Sequence, residues 1–454
     1  MIGRVACMRR TAWFLGAPLG AAIAMIACSS TDAPTAADDG ERDAAPGTPV
    51  DDAASTPDVD AGADAADLDA AARSYDFAVS CAATPCATQI AARGGAHACA
   101  ILQGGSVRCW GANRSGQLGI GANDAGAIPP FEGAPAEVAG ISNAASLTAT
   151  GDGEAGTTCV VTTAGAVTCF GSDAWGQLGR GASPSSAPHP EPAELAGLEA
   201  KSVTLAGTFA LAAGTDGRLW SWGTNDAQQL ARATAADAGS ATAPARADGV
   251  TFAPRSFAGT STTSFVVSEA GELVSWGGGT GEALGRLSSL VRDPIPAAIA
   301  LSQVSHVTAG AAHACALHRG EVHCWGKNDH GQLGSGRKVD EPLPSRVVLP
   351  EGVYAVDIAA GGADTCIIAS NGAVYCWGAN ESGQVGPDAG VDQPTARRIE
   401  QLTDEAVGLA VMDRSVCALL RSGAVACWGD NLLGQLGRGA RDAELHAPAP
   451  VVFQ

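Results

Sequence analysis

Seven times in 454 residues the chain writes nearly the same phrase, and this limits its possible folds more than any other feature. The first copy is Cys109-Trp110-Gly111-Ala112-Asn113 followed by Gly116-Gln117-Leu118-Gly119. Cys169-Phe170-Gly171, Ser221-Trp222-Gly223 and Ser275-Trp276-Gly277 open the next three. Cys324-Trp325-Gly326, Cys376-Trp377-Gly378 and Cys427-Trp428-Gly429 open the last three. The steps between the aromatics are 60, 52, 54, 49, 52 and 51 residues. A period near 50 with strand-like text predicts an all-β, seven-bladed β-propeller of four-stranded blades. The 59 glycines, about twice ordinary usage, suit many short strands and tight turns.

Within each unit the residues predict a hairpin. His97 to Leu102 and Ser106 to Gly111 flank a short glycine-bearing turn. A three-residue loop over 103–105 puts Cys99 opposite Cys109. In the fifth unit Cys315 and Cys324 are one residue closer, which a shorter loop at Arg319-Gly320 absorbs. Trp110 then points to the opposite face from Cys109, as expected of a blade covered on both sides. Asn113 and Gly116 suit an Asx-type turn ending in a left-handed glycine.

The phrase from Ala309 to Ala316, continued from Gly320 to Gly334, resembles the regulator of chromosome condensation repeat over about residues 89–451. The resemblance implies the seven-bladed propeller again. It implies little about activity, because the family holds both exchange factors for a small GTPase and secreted β-lactamase inhibitors.

The N-terminus reads as an address. Arg4, Arg9 and Arg10 precede the uncharged run Thr11 to Ala27, which ends in Met25-Ile26-Ala27-Cys28. This resembles the bacterial lipobox, so residues 1–28 are expected to be a lipoprotein signal and Cys28 its acylated residue; an ordinary cleaved signal is the alternative. Residues 29–75, with net charge −10 and few large apolar side chains, are expected to be a disordered acidic linker. The propeller is expected to occupy 76–454.

Setting aside Cys7 and Cys28, twelve cysteines remain. They group as Cys81/Cys86, Cys99/Cys109, Cys159/Cys169, Cys315/Cys324, Cys366/Cys376 and Cys417/Cys427. Units three and four lose both hairpin positions together, to Leu211 with Ser221 and Phe265 with Ser275, so the positions behave as pairs. Disulfides in an oxidising compartment are expected, with buried free thiols as the alternative. Zinc is disfavoured because a hairpin supplies two thiols where four ligands are usual.

No catalytic motif is present. His97 and His313 share one position, which other units fill with Thr157, Phe209, Thr263, Asp364 and Ser415, so both read as structural groups. A net charge of −20 argues against a nucleic-acid partner. No metal or cofactor is expected. The expected function is a monomeric, non-catalytic binding protein, lipid-anchored to the bacterial cell envelope and presenting loops to a protein or surface ligand. A guanine-nucleotide exchange factor and a secreted enzyme inhibitor are the rivals. Two residues in each turn vary between units, and in units one, two and seven these include Arg114, Trp175, Leu432 and Leu433. Arg and Trp are hot-spot residue types, so these four are the candidate partner patch. The C-terminal strand near Pro448 to Phe453 is expected to close the ring against the first unit.

Overall fold

The computed structural model describes residues 75–232, 240–278 and 283–453. The expected signal with Cys28, the linker up to residue 74 and the tip pair Thr280-Gly281 lie outside the described residues. Among the described residues there are 27 strands and no helix.

Blade 1 is an antiparallel sheet of Ala87–Ala91, His97–Leu102, Val107–Ala112 and Phe131–Glu137, in that order. Blades 4 to 7 repeat it. Between them runs one seven-stranded sheet, because the 21-residue strand Ser185–Leu205 belongs to two blades. It is the fourth strand of blade 2, beside Ala166–Asp173, and then the first strand of blade 3, beside Phe209–Gly214. The first strands pack on one another in a closed circuit, so they line the axis. The fourth strands form the outer edges. Each carries at least one proline, from Pro135 in blade 1 to Pro448 and Pro450 in blade 7, which blunts edge-to-edge pairing.

The hairpins have the expected register. Cys99 faces Cys109, and the loop between them is turned by Gly104 and Gly105, both at positive φ. Cys315 faces Cys324 across a two-residue loop in which Arg319 and Gly320 have φ of 52° and 80°. Positive φ at both centres is what the primed hairpin turn demands. All five hairpin pairs are bonded, with Cα–Cα separations of 4.1 to 4.2 Å, and Cys81 is bonded to Cys86. Where the pair is lost, Ser221 and Ser275 use their hydroxyls instead, donating to Leu230 O at 2.8 Å and Leu284 O at 2.6 Å.

Seven apolar clusters fill the seven blade–blade interfaces. The repeated tryptophan sits at each centre, fully buried, except in the interface that Phe170 fills. Its indole N–H donates to the backbone carbonyl at the glutamine position of the preceding blade. Trp222 reaches Gln177, Trp377 reaches Gln332 and Trp428 reaches Gln384, each at 2.8 Å. Phe170 cannot donate, and there Gln117 O keeps only the Thr158 hydroxyl at 2.8 Å, a bond that Thr365 also makes to Gln332 O beside Trp377. The last glycine of the phrase leaves room for this ring: a Cβ on Gly334 would lie 2.9 Å from the Trp377 indole nitrogen.

The C-terminal segment meets the first unit through its last residues, while its strand stays within its own blade. His446–Pro450 pairs with Val425–Gly429 inside its own blade. The seam is closed by side chains, by the N-terminal strap and by backbone bonds at the axis, where the Gly94 N–H donates to Val411 O at 3.0 Å and the Val411 N–H to Ala92 O at 3.2 Å. Trp110 donates to Gln435 O at 3.0 Å, Phe453 meets Trp110 edge-on, and Val451 packs in the same cluster. Ser80, Ala83 and Ala87 donate to the carbonyls of Arg421, Ser422 and Gly423, and the Tyr75 hydroxyl donates to Ala406 O at 2.6 Å. The four strands of blade 7 pair locally, so packing and a few backbone bonds at the axis join the ends.

Candidate binding face and axial funnel

In five of the blades the repeated turn is built on two buried amide side chains. In blade 1 Asn113 Oδ1 accepts the Leu118 N–H at 3.0 Å, and Gln117 Oε1 accepts the Ser115 N–H at 2.9 Å. Gly116 closes the turn onto Asn113 O with φ of 79°. Aspartate replaces the asparagine in blade 2, where Asp173 Oδ1 accepts Leu178 N–H at 3.0 Å. The framework is internal, so the two residues between are free to vary.

These tips share a rim with the loops joining first and second strands. Arg114 on the blade 1 tip is paired with Glu154 in the loop of blade 2, and Glu381 on the blade 6 tip with Arg414 in the loop of blade 7. Trp175 and Leu432 are each about half exposed, and Leu433 is partly buried, its N–H donated to Gln435 Oε1 at 2.8 Å.

The rim encircles a funnel of about 430 Å³ on the axis, whose wall includes Asp152, Trp175, Gln177, Ser261 and Asp413. Of the four expected patch residues, Trp175 is the one that lines it. Arg93, just beyond the first strand of blade 1, is its floor. The guanidinium is held in a cage of backbone carbonyls from three other blades: Leu205 O at 2.7 Å, Ala309 O at 2.6 Å, Gly310 O at 3.2 Å, and Gly259 O. Burial lowers its pKa to about 10, which leaves it charged near neutral pH. Gly94 and Gly95 beside it run against Gly151, where a Cβ would come within 2.7–2.8 Å of backbone atoms. Asp413 lies over Gly362, and burial raises its pKa.

Below Arg93 a second cavity of about 330 Å³ includes Gln89, His306 and Asp357. Ser256, His306 and Asp357 hold equivalent positions on three successive first strands. Ser256 Oγ is 3.3 Å from His306 Nδ1, but it also accepts the Val307 N–H, and no hydrogen bond joins His306 to Asp357. They do not form a proton relay.

His97 and His313 are structural. Each holds its Nε2 against a threonine hydroxyl, Thr158 at 3.1 Å and Thr365 at 2.9 Å, and each hydroxyl donates onward to a glutamine carbonyl. The threonine proton is therefore committed, so the imidazole must donate from Nε2. Neither Nδ1 has a partner. Burial pushes the two pKa values down to about 4 and about 3.

Two features escaped the sequence reading. Arg180, Arg286 and Arg438, one residue past the phrase, bridge third- and fourth-strand carbonyls, as when Arg438 reaches Cys427 O at 2.6 Å and Ala447 O at 3.0 Å. Their recurrence after the glycine was a usable signal. Arg93 occurs once, and its carbonyl partners lie 112 to 217 residues away, so no spacing could announce it.

Comparison with known proteins places this geometry. A family model described as the regulator of chromosome condensation (RCC1) repeat matches residues 319–368, and a second of the same description matches 87–117, 304–332 and 355–384. The chain is 31% identical over 247 residues to the human E3 ubiquitin-protein ligase HERC2, a match covering 52% of this chain and 5% of that protein. It is 28% identical over 363 residues to the ultraviolet-B receptor UVR8 of Arabidopsis thaliana, covering 79% of this chain and 80% of the receptor. Among solved structures, Prp20p from Saccharomyces cerevisiae superposes with a TM-score of 0.65 at 19% identity, over 77% of this chain and 86% of that one. Seven blades, five of whose interfaces carry a tryptophan-to-glutamine-carbonyl bond, together with these matches make the chain a propeller that carries regulator of chromosome condensation repeats.

Proposed function

We propose that this protein is a non-catalytic binding protein of the bacterial cell envelope, anchored through an acylated Cys28, whose propeller offers its tip rim to a protein or surface ligand. The observation that carries the reading is the rim itself: variable tips on a buried asparagine–glutamine framework, surrounding a funnel with half-exposed Trp175 in its wall. Propeller relatives support a role in interaction or regulation. One is named a receptor, and Prp20p is described by its binding properties to Gsp1p and histones. Six disulfides support export to an oxidising compartment, against a cytosolic exchange factor. Inhibition of a secreted enzyme is compatible with the same face.

Fractionation and capture test this together. Wild type should sediment with membranes and Cys28→Ser should not, or should stay unprocessed. Trp175→Ala with Leu433→Ser, folded, should lose the envelope partner held by wild type. A soluble cytoplasmic protein with free thiols would overturn the reading, and full capture by the double variant would remove the rim patch from it.

A further inference from the structure

The funnel's wall has an unused donor. In six of the repeated turns a glutamine carboxamide oxygen holds the tip, while Nε2 is available to bond elsewhere. Gln117 Nε2 donates to Glu154 O at 2.7 Å, Gln229 to Ser261 O at 3.4 Å, Gln384 to Asp364 at 3.3 Å and Gln435 to Asp430 at 2.9 Å. Gln177 is 3% exposed and its oxygen accepts the Trp175 N–H at 2.8 Å, but its Nε2 makes no hydrogen bond to any described residue. Gln332 shares the open amide yet does not border the funnel. Among the described tip glutamines, Gln177 is the one that combines a buried side chain and an unpaired Nε2 with a place in the funnel wall beside a half-exposed indole.

The rest of the lining narrows the ligand. Asp152 and Asp413 are acceptors when ionised, Gln177 Nε2 is a donor, and Ser261 is both. A simple cation would satisfy the carboxylates but leave Gln177 Nε2 without an acceptor and sit above the charged, carbonyl-caged Arg93. A simple anion would meet two carboxylates. The hydroxyl group both donates and accepts, so a neutral polyol matches every group. The indole adds a flat apolar platform for C–H faces. A cavity of about 430 Å³ lies inside the usual range for small-molecule sites, roughly 300–1,000 Å³.

We propose that the axial funnel is a saccharide subsite: it takes a neutral sugar unit of a surface glycan, laid on Trp175, with its hydroxyls shared between Gln177 Nε2 and the carboxylates of Asp152 and Asp413. This deepens the binding-face reading and rests on it for the location of the ligand. Neutrality is the specificity it adds, because an acidic sugar would bring its carboxylate toward two others.

The test is calorimetric titration of the full-length protein, in a detergent without a sugar headgroup, with maltose, cellobiose, lactose, chitobiose and sialyllactose. At least one neutral disaccharide should bind with a millimolar or tighter Kd, and sialyllactose more weakly than lactose. Trp175→Ala should weaken the neutral sugar at least tenfold and Trp175→Phe much less. Gln177→Glu keeps the acceptor for the Trp175 N–H and, when ionised, removes the donor, so it should also cost at least tenfold in protein whose fold circular dichroism confirms. If none of the neutral disaccharides binds, or if binding survives both Trp175→Ala and Gln177→Glu, the subsite is refuted. Loss of protein capture in Trp175→Ala without any sugar binding would refute the subsite while sustaining the binding face. Sugar binding by a protein that fractionates as cytosolic would do the reverse.

Discussion

Acid should loosen this propeller through two imidazoles. In an unfolded chain each histidine titrates near pH 6.5. In the fold His97 is held down to about 4 and His313 to about 3, because each is buried, gives its one proton to threonine from Nε2, and has no acceptor for a second at Nδ1. Between those folded values and 6.5 the unfolded chain binds protons that the folded chain refuses. The stability from each neutral histidine is therefore complete above pH 6.5 and is lost as the pH falls toward the folded value. From pH 7 to pH 5 the linkage relation gives a loss of about 2 kcal/mol per histidine. His97→Gln keeps a donor for Thr158 but cannot be protonated. The assay is urea unfolding at pH 7, 6 and 5 with disulfides intact. All other titrating groups are common to both proteins, so the difference between their pH 7-to-5 losses isolates His97 and should be about 2 kcal/mol. Equal losses in wild type and His97→Gln would refute the reasoning, whatever the variant's stability at pH 7.

The opposite sign is expected at Asp364, which occupies the position of the two histidines in blade 6. Burial raises its pKa well above the usual carboxylate value, so the fold keeps it neutral while the unfolded chain ionises, and it removes stability as pH rises. Asp364→Asn should raise the urea midpoint at pH 8 more than at pH 4; a lower midpoint at pH 8 would reject this. Trp110→Phe should cost about 1 kcal/mol or more by stripping the seam of its bond to Gln435 O. Ala98 stands opposite Trp110 as Thr158 stands opposite Phe170, so adding Ala98→Thr should recover part of that loss in thermal unfolding. Intact-mass analysis should find the twelve cysteines from Cys81 to Cys427 protected until reductant is added, and free alkylation of most of them would contradict the paired hairpins.

Blade number, hairpin register and disulfide partners were all legible in the chain itself, because each is a local matter repeated seven times. Alternation and turn length decide which residues face each other across a hairpin, and both lie within a dozen residues of the pair. Even the shorter loop at Arg319-Gly320 could be read from the missing residue between Cys315 and Cys324. The fold of the ring, its closure and its funnel belong to the tertiary structure. The C-terminal strand alternates and carries proline, which marks an edge but not a partner, and the packing against Trp110 with the Gly94–Val411 backbone bond shows how the seam is made. Trp175 stood out in the sequence as an aromatic in a turn. That it faces the axis beside an open Gln177 amide, above an arginine caged by three other blades, depends on groups brought together across hundreds of residues. Local periodicity specifies the blades, whereas the site at their axis exists only once seven of them surround it.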